Sequence, residues 1–152
     1  MKVLVTGGSG FLGTTLCRGL LAQGHSVTSY QRHFSTELER MGVKQVLGTL
    51  NNKSEVFEAL NGQDAVLHNA AKASGWGAWD DFYQTNVIGT QNIIDGCLQA
   101  GIQKLVYTST PSVVHQGRTT VAGGNEINTP YATDFSAFYP HTKKIAEQSL
   151  LA

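Results

Sequence analysis

Charge is scarce in this chain. Charged residues make up 14% of its 152, against about 25% in an average domain. That excludes a disordered tail or a charge-laced coiled coil. The charges also cancel, with 11 Lys plus Arg against 11 Asp plus Glu. Without net charge there is no general electrostatic pull toward nucleic acid or an anionic membrane, and neither is expected as a partner. No apolar run approaches the ~18 residues of a membrane span. The opening stretch from Met1 to Gly8 has too short an apolar run for a signal peptide, so a cytoplasmic location is expected. Cysteine is limited to Cys17 and Cys97, far apart, which points to reduced core thiols. His25, His33, His68, His115 and His141 have no ligand spacing, and no metal is expected. His68, inside a buried-looking strand, is expected to be a core histidine with its hydrogen bonds satisfied. No Gly-x-Ser-x-Gly turn occurs, so hydrolase chemistry is unsupported.

Glycine, with 17 residues, is what the chain has instead. Gly24, Gly42, Gly62 and Gly101 each close a helix-like segment and precede a strand-like run, as expected of a residue just past a helix end. The runs are 26–30, 44–47, 65–68 and 104–108; with Val3, Leu4 and Val5 they make five strands. Leu12, Leu16, Leu20 and Leu21 suggest one face of a first helix. Ser35, Thr36 and Glu37, with Arg40 near the end, suggest a second, acid first and base last. Val56, Phe57 and Leu60 mark a third. The longest is expected from about Asp80 to Ala100, with Phe82, Val87, Ile93, Ile94 and Leu98 as its apolar positions. The last starts near Phe138. Strand and helix in alternation predict an α/β domain, a doubly wound parallel sheet of Rossmann-like order 3-2-1-4-5 with helices on both faces. Residues 114–136, with Gly117, Gly123, Gly124 and Pro130, are expected to form a long loop, functional or mobile.

The strongest motif is Thr6-Gly7-Gly8-Ser9-Gly10-Phe11-Leu12-Gly13. Gly7, Gly10 and Gly13 follow the first strand and open the first helix. One glycine allows the tight turn, one lets backbone approach a pyrophosphate, and one lets helix pack close to strand. The helix N-terminus then offers free N–H groups to the phosphates. The second strand ends at Gln31-Arg32-His33, where an NAD-selective site usually has an acid for the ribose 2′-hydroxyl. Without that carboxylate a 2′-phosphate is not repelled, and Arg32 can grip it in bidentate fashion. NADP(H) is favoured over NAD(H), although Gln31 could still bond a plain ribose.

Tyr139 and Lys143 lie four apart on the last expected helix, on one face, and Pro140 suits its first turn. A free tyrosine ionises near 10, and a useful proton shuttle needs a value nearer ~7. A nearby ammonium supplies part of that shift by favouring phenolate. The fifth strand ends in Thr108-Ser109-Thr110, where ligands bind in such sheets. Thr110 is the first choice to polarise a carbonyl and Ser109 the second.

Together these residues resemble the extended short-chain dehydrogenase/reductase family. The turn at 6–13 resembles its cofactor motif, 64–71 its fourth-strand motif, 86–90 a helix motif and Tyr139-Pro140-His141-Thr142-Lys143 its catalytic signature. The segments 71–77 and 107–114 resemble its 3β-hydroxysteroid dehydrogenase branch. The resemblance implies Tyr139 as acid/base, Lys143 as the group that lowers its pKa and bonds the ribose, and Thr110 as the orienting hydroxyl. It implies a cofactor set of Gly7, Gly10, Phe11, Leu12, Gly13, Gln31, Arg32, Thr49, Leu50, Asn69, Ala70, Ala71, Lys72 and Lys143. The implied reaction is hydride transfer between NADP(H) and a 3-keto or 3-hydroxy group of a fatty-acid-like or steroid-like small molecule. Gln31, and Thr49 where the family often has an Asp on the adenine, depart from the pattern. Family members also run well past this length. Residues 1–152 are therefore expected to be the dinucleotide-binding domain, a fragment or truncated product without the later strands and substrate lobe. The fifth strand would then be a bare edge, so a homo-oligomer, a dimer above all, is expected through that edge or the helices near 80–100 and 138–152. Two other readings stay open: a dinucleotide-holding module or sensor without turnover, and a nucleotide-sugar epimerase or dehydratase of the same fold.

Overall fold

The structure, a computed structural model, describes residues 1–115, 122–125 and 127–152. Its elements are β1 (Lys2–Thr6), α1 (Phe11–Ala22), β2 (Ser26–Gln31), α2 (Thr36–Arg40), β3 (Lys44–Leu47), α3 (Lys53–Leu60), β4 (Ala65–His68), α4 (Trp79–Phe82), α5 (Gly89–Ala100), β5 (Leu105–Tyr107) and α6 (Phe138–Leu151). Between α4 and α5 the chain stays helical but widens into a π-helical stretch, Tyr83–Ile88. A 3₁₀ turn, Pro111–Val113, follows β5. The five strands pair in parallel in the order β3-β2-β1-β4-β5, the doubly wound order the sequence predicts.

Strand β1 sits centrally because both of its faces are apolar. Leu4 joins Val56 and Leu60 of α3 and Ile93 and Cys97 of α5 on one side. Val3 and Val5 join Cys17 of α1 and Leu38 of α2 on the other. Each such side chain contributes roughly 1.5–3 kcal/mol on full burial. The helix-closing glycines at 24, 42, 62 and 101 all take positive φ, where a Cβ would clash. Ser35 caps α2 by accepting from the Leu38 N–H.

Two helix faces differ from expectation. In α1 the sheet-facing residues are Gly13 and Cys17, while Leu12 is exposed. The helix comes so near the sheet that small residues must face it. In α5 Leu98 is exposed and Cys97 buried. Gly96 faces α3, where a Cβ would strike Leu60 and Phe57. The long loop expected over 114–136 forms no strand or helix among the described residues, and its Gly117 lies outside them. Its far end is anchored: the Ala132 N–H donates to the Val113 carbonyl at 2.9 Å, and Lys144 Nζ donates to the Ala132 carbonyl at 2.8 Å.

His68 ties the sheet to α5. Its Nδ1 lies 2.8 Å from Thr6 Oγ1 and its Nε2 2.9 Å from Thr90 Oγ1. Thr90 spends its own proton on the Asn86 carbonyl, so His68 donates from Nε2 and accepts at Nδ1. Thr6 Oγ1 in turn accepts from the Asn69 and Ala70 N–H groups. Burial, and next the charge of Lys143, push the His68 pKa down to about 3. The unfolded chain takes up this proton near 6.5 and the native one does not, so stability rises with pH between about 3 and 6.5. Melts across that range are expected to show a slope about 1.4 kcal/mol per pH unit steeper in the parent than in His68→Gln. Equal slopes would contradict the neutral imidazole.

Candidate functional site

The turn between β1 and α1 is built on absent side chains. Gly7 has φ 68°, and its N–H donates to the Tyr30 carbonyl at 2.8 Å. A Cβ on Gly13 would strike the Gly7 carbonyl, and one on Gly8 would strike Ser29 and Cys17. Gly10 caps α1 without a side chain, which leaves the first-turn N–H groups facing outward with no intrahelical partner.

A cleft of about 750 Å³ opens in front of this turn, across the C-terminal ends of β1 to β4. Gly7, Gly10, Gln31 and Arg32 line it, and so do Thr49, Leu50 and the run Asn69–Lys72. Of the expected cofactor set, Phe11, Leu12, Gly13 and Lys143 do not. Gly13 is buried under the turn, Lys143 is buried elsewhere, and Phe11 is almost wholly exposed at the start of α1. The cleft adds Ser9 from within the glycine motif and His33 beside Arg32, together with Asp80 and Thr85, which no sequence motif marks.

Gln31 has a different task from the one expected of an acid at that position. It is buried. Its Oε1 accepts from the Ser9 N–H at 3.0 Å and from Ser29 Oγ at 2.5 Å. Its Nε2 donates to the His33 carbonyl and to Gln45 Oε1. Both polar atoms of the amide are engaged, Oε1 with the glycine turn through Ser9 and Nε2 with His33 and Gln45. Arg32 beside it is exposed and in no ion pair among the described residues.

The far wall of the cleft is tied to α6 by one residue. Asn86 Oδ1 accepts from the Lys72 N–H at 2.7 Å. Its Nδ2 donates to the Lys72 carbonyl at 3.1 Å and to Thr142 Oγ1 at 3.0 Å. Thr142 directly precedes Lys143, and its hydroxyl returns to the Phe138 and Tyr139 carbonyls. The motif at 86–90, which opens on Asn86, was the available signal for this junction.

Lys143 is 2% exposed. Its Nζ donates to the Thr108 carbonyl at 2.6 Å and stands 3.8 Å from the centre of the Tyr107 ring. Burial pushes its pKa down to about 8, with Glu147 opposing. Ser109 donates its hydroxyl proton to the Glu147 carboxylate, which also accepts from Tyr131 Oη at 2.9 Å. Thr110 Oγ1 accepts from the Ser112 N–H and makes only a long 3.3 Å contact to Ser112 Oγ. Ser109 and Thr110 line a second cavity of about 850 Å³ with His115, Asn125 and Glu147. Tyr139, half-buried in the first turn of α6, lines neither cavity. Glu147 is four residues past Lys143 on the same helix face, a spacing that could have flagged it.

This arrangement was compared with known proteins. The model of the 3-beta hydroxysteroid dehydrogenase/isomerase family matches residues 4–152. The chain belongs to that family. A 2-alkyl-3-oxoalkanoate reductase of Stenotrophomonas maltophilia is 52% identical over 152 residues, all of this chain and 46% of the relative. A 3-beta-hydroxysteroid dehydrogenase of Mycolicibacterium neoaurum is 38% identical, over 99% of this chain and 42% of its own length. The chain thus spans under half the length of these family relatives. Among solved structures, a short-chain dehydrogenase/reductase superfamily protein from Agrobacterium tumefaciens with bound NAD superposes with TM-score 0.86 at 28% identity, over 99% of this chain and 44% of that one. A Thermus thermophilus UDP-glucose 4-epimerase complex with NAD gives 0.85 at 29% identity, over 99% and 50%.

Within the family motif the glycines are not equivalent. Gly13→Ala is expected to lower stability by about 1–3 kcal/mol in urea unfolding, since a backbone carbonyl must move. Gly10→Ala, whose Cβ would meet only the Gly7 carbonyl at 3.3 Å, is expected to cost under about 1 kcal/mol. Equal losses would contradict the steric account of the turn.

Proposed function

We propose that residues 1–152 form a dinucleotide-binding domain of an oxidoreductase that prefers NADP(H) to NAD(H) and acts on a 3-keto or 3-hydroxy group of a fatty-acid-like or steroid-like small molecule. The observation that carries this reading is the Asn86 junction, which joins the wall of the glycine-turn cleft to the helix bearing Tyr139 and Lys143. The residues fit a dinucleotide: glycines at 8 and 13 permit the close packing of the turn and α1, and the uncapped start of α1 beside the cleft suits a pyrophosphate. The NAD in the Agrobacterium and Thermus relatives supports the same class of cofactor, and the 52% identical reductase supports the substrate class.

The bound cofactor supplies a hydride donor or acceptor. The chain supplies the rest. Arg32 meets a 2′-phosphate with no carboxylate adjoining it after β2. Tyr139 delivers a proton to the carbonyl oxygen on reduction, or removes it from the hydroxyl on oxidation. Lys143 favours the phenolate by its charge. Thr110 turns its hydroxyl proton, held in the structure by a long 3.3 Å bond to Ser112 Oγ, to the substrate oxygen, whereas Ser109 gives its own to Glu147. In this reading Thr110 polarises the carbonyl and Ser109 does not. Val106, 61% exposed on the outermost strand β5, supports self-association as a dimer. No helix among the described residues is long and apolar enough to cross a membrane, and a cytoplasmic reaction is part of the proposal.

A second reading, a module that holds the dinucleotide without turnover, draws on Tyr139 lining neither cavity. Fluorescence titration is expected to give NADPH an affinity about 10–100-fold above NADH, and Arg32→Ala is expected to erase the difference. Equal affinities in the parent would remove Arg32 from the site. Where NADPH oxidation with a 3-oxo substrate is measurable, Tyr139→Phe is expected to slow it about 10²–10⁴-fold. An unchanged rate would favour the second reading.

A further inference from the structure

The cation buried beneath the end of β5 has an unusual holder. Lys143 Nζ is in no ion pair among the described residues, yet the side chain is 98% removed from solvent by its 2% exposure. A buried ammonium without a carboxylate needs another source of negative potential. One N–H goes to the Thr108 carbonyl at 2.6 Å. The remaining near neighbour is the face of Tyr107, 3.8 Å from Nζ to ring centre, well inside the ~6 Å over which a ring quadrupole attracts a cation.

The ring is held for that contact from behind. Tyr107 pairs with His68 across β5 and β4, and the two rings lie 5.6 Å apart at 39°. The imidazole is neutral by its hydrogen-bond network, so it does not oppose a cation on the other side. Among the described residues the Tyr107 hydroxyl is buried and makes no hydrogen bond of good geometry, and what Lys143 meets is the aromatic face. The groups set against Lys143 are His68 on β4, Tyr107 on β5 and Glu147 on α6. Of these only Glu147 carries negative charge, and it is engaged with Ser109 and Tyr131.

We propose that the face of Tyr107 is the seat that keeps the Lys143 ammonium charged and aimed at the end of β5, which makes Tyr107 a positioning residue for the Tyr139–Lys143 pair. The positioning role rests on the reading of Lys143 given above; the seat itself does not. With burial already bringing the lysine to about 8, removal of the ring leaves it largely neutral at physiological pH.

The test is a titration of the seven lysines of the chain labelled with ¹³Cε-lysine, with the Lys143 signal identified by its loss in Lys143→Arg. Tyr107→Phe is expected to keep the parental midpoint. Tyr107→Leu is expected to lower it by about one pH unit. Because the leucine variant disturbs packing, tetrafluorophenylalanine is placed at 107 as well; it keeps the ring's shape and drains its negative face. It is expected to lower the midpoint by at least about half a unit. An unchanged midpoint with the fluorinated ring, or a fall with phenylalanine as large as with leucine, would overturn the proposal. Neither cofactor nor substrate is needed. A chain that passes this titration but does not bind NADPH would sink the oxidoreductase reading and leave the seat intact.

Discussion

Helix α1 approaches the turn that precedes it so closely that position 13 can carry no side chain. A Cβ there would strike the Gly7 carbonyl. The rest of the cleft depends on that approach. It sets the start of α1 above the C-terminal end of β1, where its unpaired N–H groups face the opening. It also explains why Gly13 and Cys17 are the buried residues of α1, with Leu20 and Leu21 packed at the edge of the same core. Gln31 then braces the turn from the side by accepting from the Ser9 N–H. Gln31, at the end of β2, is thereby part of the scaffold, and the proposed function gives the ribose to its exposed neighbour Arg32.

A second constraint sets the other half of the site. Lys143 is a cation in a place where water is excluded. Its hydrogen bond to the end of β5, the aromatic face beside it and the Asn86–Thr142 bond next to it all fix where α6 begins. His68 serves the same region by staying neutral. Its bonds to Thr6 and Thr90 join β1, β4 and α5 just below the cleft. The polar network is complete at nearly every atom, which is what a low-dielectric interior requires of it. The Tyr107 hydroxyl is an exception.

Much of the fold was legible in the sequence, and the reason is local. Each crossover ends on a glycine with positive φ, a short strand follows within a few residues, and right-handed crossovers leave few orders to choose from. Much of the cleft was legible too, because the loops that line it directly follow strands. What could not be read depends on contacts across long separations. Gln31 is a ribose ligand or a brace according to where its amide turns, and Ser9, 22 residues away, decides that. Asn86 becomes a junction only through Thr142, 56 residues on. Glu147 engages the Ser109 hydroxyl across 38 residues. Leu98 is exposed where the helical period expected it buried, while Gly96 is the residue that meets α3.

The most direct measurement is a crystal structure of this chain grown with NADPH. The expected result is a pyrophosphate on the first-turn N–H groups of α1, a 2′-phosphate on Arg32, and the nicotinamide ring within about 4 Å of the Tyr139 hydroxyl, a distance that leaves room for a reacting carbon and oxygen. A dinucleotide bound away from the glycine turn, or one whose nicotinamide end lies on the opposite side of the Asn86 junction from Tyr139, would contradict the proposed oxidoreductase site.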